Sequence, residues 1–175
     1  MASAIERCGT EEQKRKYLPR MATGELRGSL GLTEPNAGTD LQAIRTVARR
    51  ESDHYVINGA KTWITNSMYG DMVLLLTKTD PEAQPRHKGM SMFIAEKGDG
   101  FIVAKKMKKS GYRAIDTCEL AFQDYKVPAD CLLGGVEGQG FQHAVGGLEL
   151  GRINVAARGC GIAEGALRLS VRYAQ

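Results

Sequence analysis

An α+β architecture is predicted, in which a central antiparallel β-barrel or sandwich is flanked by a short N-terminal helix and a long C-terminal helical segment. Three observations predict it. A capping-box pattern opens at Thr10, short β-prone runs broken by turn residues fill the stretch from Arg27 to about Leu133, and apolar residues recur at helical spacing from Phe141 to Gln175. The organisation expected is therefore helical over residues 1–27, β over 28–133 and helical again over 134–175.

The first helix follows from Thr10-Glu11-Glu12-Gln13, where Thr10 can cap and Gln13 can reach back to it; Pro19 or Gly24 ends it. The β-prone runs are Ser29-Leu30-Gly31-Leu32, Ile44 to Ala48, Tyr55-Val56-Ile57, Thr62 to Thr65, Met72 to Thr77, Met90 to Ala95, Phe101-Ile102-Val103 and Cys118 to Phe122. Arg49 to His54 separates two of these runs as a hairpin, and Asn58-Gly59 reads as a second tight turn. The longest loop, Asp80 to Gly89, carries Pro81, Pro85 and several charges and is the best candidate for an exposed, mobile excursion. From Phe141 onward, Val145, Leu148, Ile153, Ala156, Cys160, Leu167 and Val171 mark one long helix or a kinked pair, rich in glycines that suit close helix packing. A helix still running at Gln175 cannot bury its apolar stripe alone, so the chain is expected to be a piece of something larger or an obligate oligomer.

The composition excludes several classes. A length of 175 residues and 42% hydrophobic content suit one domain with flanking pieces, and a net charge of +4 falls short of the concentrated basicity of a nucleic-acid module. The densest basic stretch, Lys105-Lys106-Met107-Lys108-Lys109, reads as a solvated strand edge or turn, with phosphate contact as the alternative. Cys8, Cys118, Cys131 and Cys160 form no C-x-x-C pair, and His54, His87 and His143 are isolated, so no metal site or disulfide framework is expected. The N-terminus has no apolar h-region and no stretch approaches the roughly 20 apolar residues that span a bilayer, which predicts a soluble, intracellular protein.

The candidate site lies in two polar segments, each ending a β-rich stretch. Gly31-Leu32-Thr33-Glu34-Pro35-Asn36-Ala37-Gly38-Thr39-Asp40 and Lys61-Thr62-Trp63-Ile64-Thr65-Asn66 offer hydroxyls beside flat or apolar groups, and so could form two walls of a pocket for a planar, polar-edged cofactor. Gly38 can take a positive φ and bring backbone close to a ligand, and Glu149 and Arg152 share one helical face.

These segments resemble the acyl-CoA dehydrogenase family: the run from Gly31 to Ala43 is similar to its first signature and Lys61 to Asn66 to its next flavin-contacting segment. Asp116 to Phe122 followed by Val127-Pro128, then Gly138 to Phe141 and Gly151-Arg152-Ile153, continue the likeness in order over almost the whole chain. The resemblance implies the tail of an N-terminal helical domain over 1–27, a flavin- and acyl-CoA-binding middle domain over 28–133, and the first part of a C-terminal helical bundle over 134–175. It implies FAD as cofactor, held by Leu30, Gly31, Leu32, Thr33, Gly38, Thr39, Trp63, Ile64 and Thr65, and an acyl-CoA thioester contacted by Thr39, Glu149 and Arg152. Thr65 would face flavin N5, Thr33 the pyrimidine side, and Trp63 would screen water from the ring. The reaction implied is α,β-dehydrogenation to trans-2-enoyl-CoA, as in fatty-acid β-oxidation. An electron-transferring flavoprotein would be the acceptor, and the full-length protein a homo-oligomer in the cytoplasm, or in the mitochondrial matrix of a eukaryote. Some branches place the catalytic base immediately before the helix arginine, where this chain has Gly151; no base is assigned and no turnover is expected from the chain alone. An acyl-CoA oxidase-like or nitroalkane-oxidase-like flavoprotein, or a non-catalytic module kept for assembly, are the alternatives.

Overall fold

A computed structural model describes all 175 residues. Two helices open the chain, α1 over Ala2–Cys8 and α2 over Glu11–Ala22. The capping box forms at α2: the Thr10 hydroxyl accepts from the Gln13 amide at 3.2 Å, and the Gln13 side chain accepts from the Thr10 amide at 3.1 Å. Gln13 is buried and does more than cap, since its Nε2 donates to the carbonyls of Asp130 and Leu132, both at 2.8 Å. Pro19 lies inside α2 and does not end it; the helix runs on to Ala22 and is closed by Thr23 and then Gly24 at φ +77°, the other expected stop. The sequence reading contained no α1, a helix of only seven residues whose Ala4 and Ile5 are buried against other elements.

Seven strands follow: β1 (Gly28–Gly31), β2 (Val47–Glu51), β3 (His54–Thr65), β4 (Met72–Lys78), β5 (Met90–Glu96), β6 (Phe101–Lys106) and β7 (Thr117–Pro128). They form one curled sheet in the order β1-β4-β2-β3-β7-β6, with β5 also pairing β4. Most pairings are antiparallel, as expected, but β1 and β2 both run parallel to β4. β4 and β5 are buried on both faces, which explains their continuous apolar runs. Leu74, Leu76, Met92 and Ile94 join a core that also takes Ile5, Tyr17 and Ala144 from the helices, while Leu75, Phe93, Leu120, Phe122 and Val127 fill the inside of the curl.

The hairpin between β2 and β3 forms where expected, with the turn confined to Ser52 and Asp53. Asn58-Gly59, by contrast, is not a tight turn. β3 passes straight through it, and the irregularity there is absorbed as a register shift against β7. Gly59 sits at φ +149° with the Thr46 backbone 2.7 Å from where a Cβ would stand, so the glycine serves a close strand approach. β6 is an edge strand whose exposed Lys105 and Lys106 agree with the solvated-edge reading. The loop from Asp80 to Gly89 is largely exposed but pinned at its base, where the Gly89 carbonyl accepts from the amides of Thr79 and Asp80 at 2.9 and 3.1 Å.

The last element is one continuous helix, α3, over Gly140–Ala174. Its start packs tightly: a Cβ on Gly140 would lie 2.5 Å from the Ser91 backbone of β5. Beyond its first three turns it touches little, and Ile153, Ile162, Leu167 and Leu169 are each more than 60% exposed. The glycines along it, from Gly146 to Gly165, face open space within this chain. No helix is long and apolar enough to cross a membrane.

Candidate cofactor and substrate site

β1 delivers the chain to a loop, residues 32–40, that is braced from within. Leu32 buries its side chain, and its carbonyl accepts from Lys61 Nζ at 3.0 Å. The Thr33 carbonyl accepts from the Thr62 amide at 2.9 Å, so this loop and β3 are joined at adjacent peptides. Glu34 and Ala37 exchange backbone hydrogen bonds at 2.8 and 3.1 Å, closing a turn over Pro35 and Asn36. No hydrogen bond within the chain uses the amides of Leu32 or Thr33.

Under the loop lies a buried ion pair that the sequence reading missed. Glu34 Oε1 accepts from Lys61 Nζ at 2.9 Å, from the Thr46 hydroxyl at 2.6 Å and from the Thr46 amide at 3.0 Å; Oε2 accepts from the Arg45 amide at 2.6 Å. Burial pushes the Glu34 carboxyl up, but Lys61 and these donors outweigh it and hold its pKa below the ordinary value. Burial draws Lys61 down to about 8 against the opposing pull of Glu34, so both groups are charged near neutral pH. Nothing in the local sequence marked the pair, since Glu34 stands in a polar loop and Lys61 beside Thr62, where either charge would ordinarily face solvent.

Thr39 is exposed, and the turn that follows, Leu41–Ala43, is capped by Asp40, whose Oδ1 accepts from the Gln42 amide at 3.0 Å. Gly38 does not adopt a positive φ, contrary to expectation. A Cβ there would meet nothing within 4 Å, so it is simply a low point of the loop surface.

Leu32, Thr33, Gly38 and Thr39 form one wall of a cleft of about 490 Å³. The opposite wall is the first part of α3, through Phe141, Val145, Leu148 and Arg152. Leu32, Thr33, Gly38, Thr39 and Arg152 of the anticipated contacts thus meet across one space, together with Phe141, and with Val145 and Leu148, which had been read only as part of the helix's apolar stripe. Glu149 is exposed and lines no part of this cleft, and it makes no ion pair with Arg152.

The second segment behaves differently. Between Lys61 and Ile64 the register of β3 against β7 shifts, and Trp63 takes φ +60°, which turns its side chain outward to 63% exposure. It borders a neighbouring cleft of about 460 Å³ with Thr62 and Lys105, Lys106 and Lys108. The two segments are joined through Thr33 and Thr62, and each borders a cleft of its own. Thr65 is exposed at the end of β3. Ile64 is 2% exposed in the inner core, Gly31 is buried in β1, and Leu30 packs on the outer core, so only the backbone of these three is available to a ligand. The turn after Thr65 is held by Asp116, whose carbonyl accepts from the Asn66 amide at 3.0 Å and whose Oδ2 accepts from the Met68 amide at 2.8 Å.

Sheet, loop and helix define a β half-barrel that presents a polar-lipped ligand cleft to a helix. Residues 29–125 match the family model for the acyl-CoA dehydrogenase middle domain, and residues 1–25 match that for the N-terminal domain. The chain belongs to the acyl-CoA dehydrogenase family. It is 50% identical over 173 residues to a short-chain-specific acyl-CoA dehydrogenase of Clostridium acetobutylicum, an alignment that covers 98% of this chain and 45% of that one. Among solved structures, butyryl-CoA dehydrogenase from Megasphaera elsdenii superposes with a TM-score of 0.92 at 44% identity, again over 98% of this chain and 45% of the other. A chain in a structure of the electron transferring flavoprotein of Acidaminococcus fermentans, addressing flavin-based electron bifurcation, gives the same TM-score of 0.92 at 46% identity, with 98% and 45% coverage. The chain thus spans less than half the length of the relatives it matches.

Proposed function

We propose that this chain is the FAD- and acyl-CoA-binding portion of an acyl-CoA dehydrogenase that oxidises acyl-CoA thioesters to trans-2-enoyl-CoA. The observation that carries the reading is the single cleft in which unused backbone donors and the threonines of one loop face an arginine and an apolar helix wall. Free, uncharged donors at Leu32 and Thr33 suit the carbonyl-bearing edge of a flavin, and the low point at Gly38 leaves room for it. In the division into 1–27, 28–133 and 134–175 as end, middle and beginning of three domains, the first two parts are supported by the family-model matches over 1–25 and 29–125, and the third by the change to one continuous helix from Gly140.

FAD, when bound, supplies the acceptor for the hydride that leaves the acyl β-carbon. In this reading the Leu32 and Thr33 amides and the Thr33 hydroxyl would hold its pyrimidine edge, with the backbone at Leu30, Gly31 and Ile64 beside it, and the Thr65 hydroxyl would serve N5. Trp63 would screen the ring from water. Thr39 touches both cofactor and thioester, and Arg152, with Glu149 beside it, meets the CoA moiety, where a guanidinium suits phosphate oxygens. None of the cleft's lining residues is a carboxylate, and no residue of this chain is assigned as the base that takes the α-proton. The acceptor is an electron-transferring flavoprotein, a partner supported by the structural likeness to a chain of such an assembly. Homo-oligomerisation is supported by the exposed apolar side chains of α3. The cytoplasm, or the mitochondrial matrix of a eukaryote, follows from the same family reading.

Trp63, the only tryptophan, reports on the test. FAD added to the purified chain should quench its emission and remain bound through desalting, and Thr33→Ala should weaken retention. Acyl-CoA should bind without bleaching the flavin. Failure to retain FAD, both in this chain and in a version lengthened at each end, would sink the proposal and favour a module without flavin chemistry.

A further inference from the structure

The charged pair beneath the loop has a consequence for which way the loop's peptides point. In a trans peptide the carbonyl and the following N–H lie on opposite sides of one plane. Lys61 Nζ, itself fully enclosed, holds the Leu32 carbonyl at 3.0 Å, so the Thr33 N–H points away from β3, and it is one of the two amides that no group in the chain uses. The Thr62 amide holds the next carbonyl, that of Thr33, at 2.9 Å in the same sense. Glu34 fastens the other side of the turn to Arg45 and Thr46, just before β2, and neutralises the ammonium.

We propose that Lys61 is a positioning residue that fixes the Leu32–Thr33 peptide so that the Thr33 N–H stands ready for a flavin carbonyl, with Glu34 as the counter-charge that permits an ammonium there. This rests on the flavin reading above. A buried pair serving packing alone could be exchanged for neutral groups of the same shape without effect on the ligand; a positioning pair could not.

The experiment compares the full chain with Lys61→Met and with the double variant Lys61→Met/Glu34→Gln, the latter because removing only the ammonium leaves a buried carboxylate uncompensated and can unfold the protein. Hydrogen exchange at the Glu34 and Ala37 amides, which close the turn, should be faster in the double variant by about tenfold, while the amides of β4 and β5 are unchanged. FAD affinity should fall by about tenfold, the scale of one lost hydrogen bond. The bound flavin's carbonyl stretch should move to higher frequency in infrared difference spectra, a change that mere loosening of the fold would not produce. Wild type and double variant binding FAD equally well, or exchanging alike in the turn, would overturn the positioning role alone. A wild-type chain that takes up no FAD, even when lengthened at both ends, would overturn the flavin reading and the positioning role with it.

Discussion

Thr33 and Thr39 were singled out only through the likeness of their whole segment to the family's first signature, because a lone hydroxyl in a turn has an ordinary local use in capping it. Lys61 and Glu34 were not picked out as a pair, since each alone reads as a solvent-facing charge and only the fold reveals that they meet in a dry interior at 2.9 Å. Ile64 went the other way: it was read as a flavin-holding residue, but its side chain is sent into the core while that of Trp63 faces out, which leaves only its backbone for such a role. The Glu34 pair carries a pH signature. With the carboxyl held below its ordinary 4.5, the unfolded chain takes up the proton first, so this contribution to stability is complete above about pH 4.5 and drains away as pH falls below it. Glu34→Gln should flatten that part of a plot of Tm against pH. An unchanged acid limb would show that the carboxylate is not held as described.

Long, strongly periodic elements were legible, and bounded ones less so. β4, β5 and α3 followed directly from apolar runs and helical spacing, whereas β3 was read as two strands because Asn58-Gly59 has strong local turn character, which pairing with β7 on one side and β2 on the other overrides. Of the two stops read for the first helix, Pro19 and Gly24, the later one holds, since a helix already anchored by its cap and by Tyr17 in the core carries a proline to its last turn. For α2 the two cap residues should separate cleanly. Thr10→Ala removes one capping bond and should lower stability by about 1 kcal/mol. Gln13→Ala also strands the carbonyls of Asp130 and Leu132 and should cost more, about 1–3 kcal/mol. Urea titrations of both would decide it, and equal losses would mean that the tie between α2 and the end of β7 contributes nothing.

At the scale of the molecule, α3 leaves Ile153 and Leu167 in water on one side and Ile162 and Leu169 on the other, each more than 60% exposed, so the far part of the helix offers large apolar side chains that packing against another surface would bury. Light scattering should show an apparent mass that climbs with concentration, and Ile153→Glu with Leu167→Glu should suppress the climb without moving the melting of the sheet. A strictly monomeric wild-type chain would contradict this. The sheet's topology was the least legible feature, because parallel partners distant in sequence leave no local mark. The parallel pairing of β1 with β4 also has a temporal side. The Arg27 amide, at the start of β1, waits for the carboxylate of Asp71, 44 residues later. At synthesis rates of about 5–20 residues per second, β1 therefore emerges from the ribosome roughly 2–9 s before its partner does. For that interval a nascent chain carries an orphan strand, and the β4–β5 hairpin, whose two strands are made in succession, becomes the platform on which the earlier strands must later land.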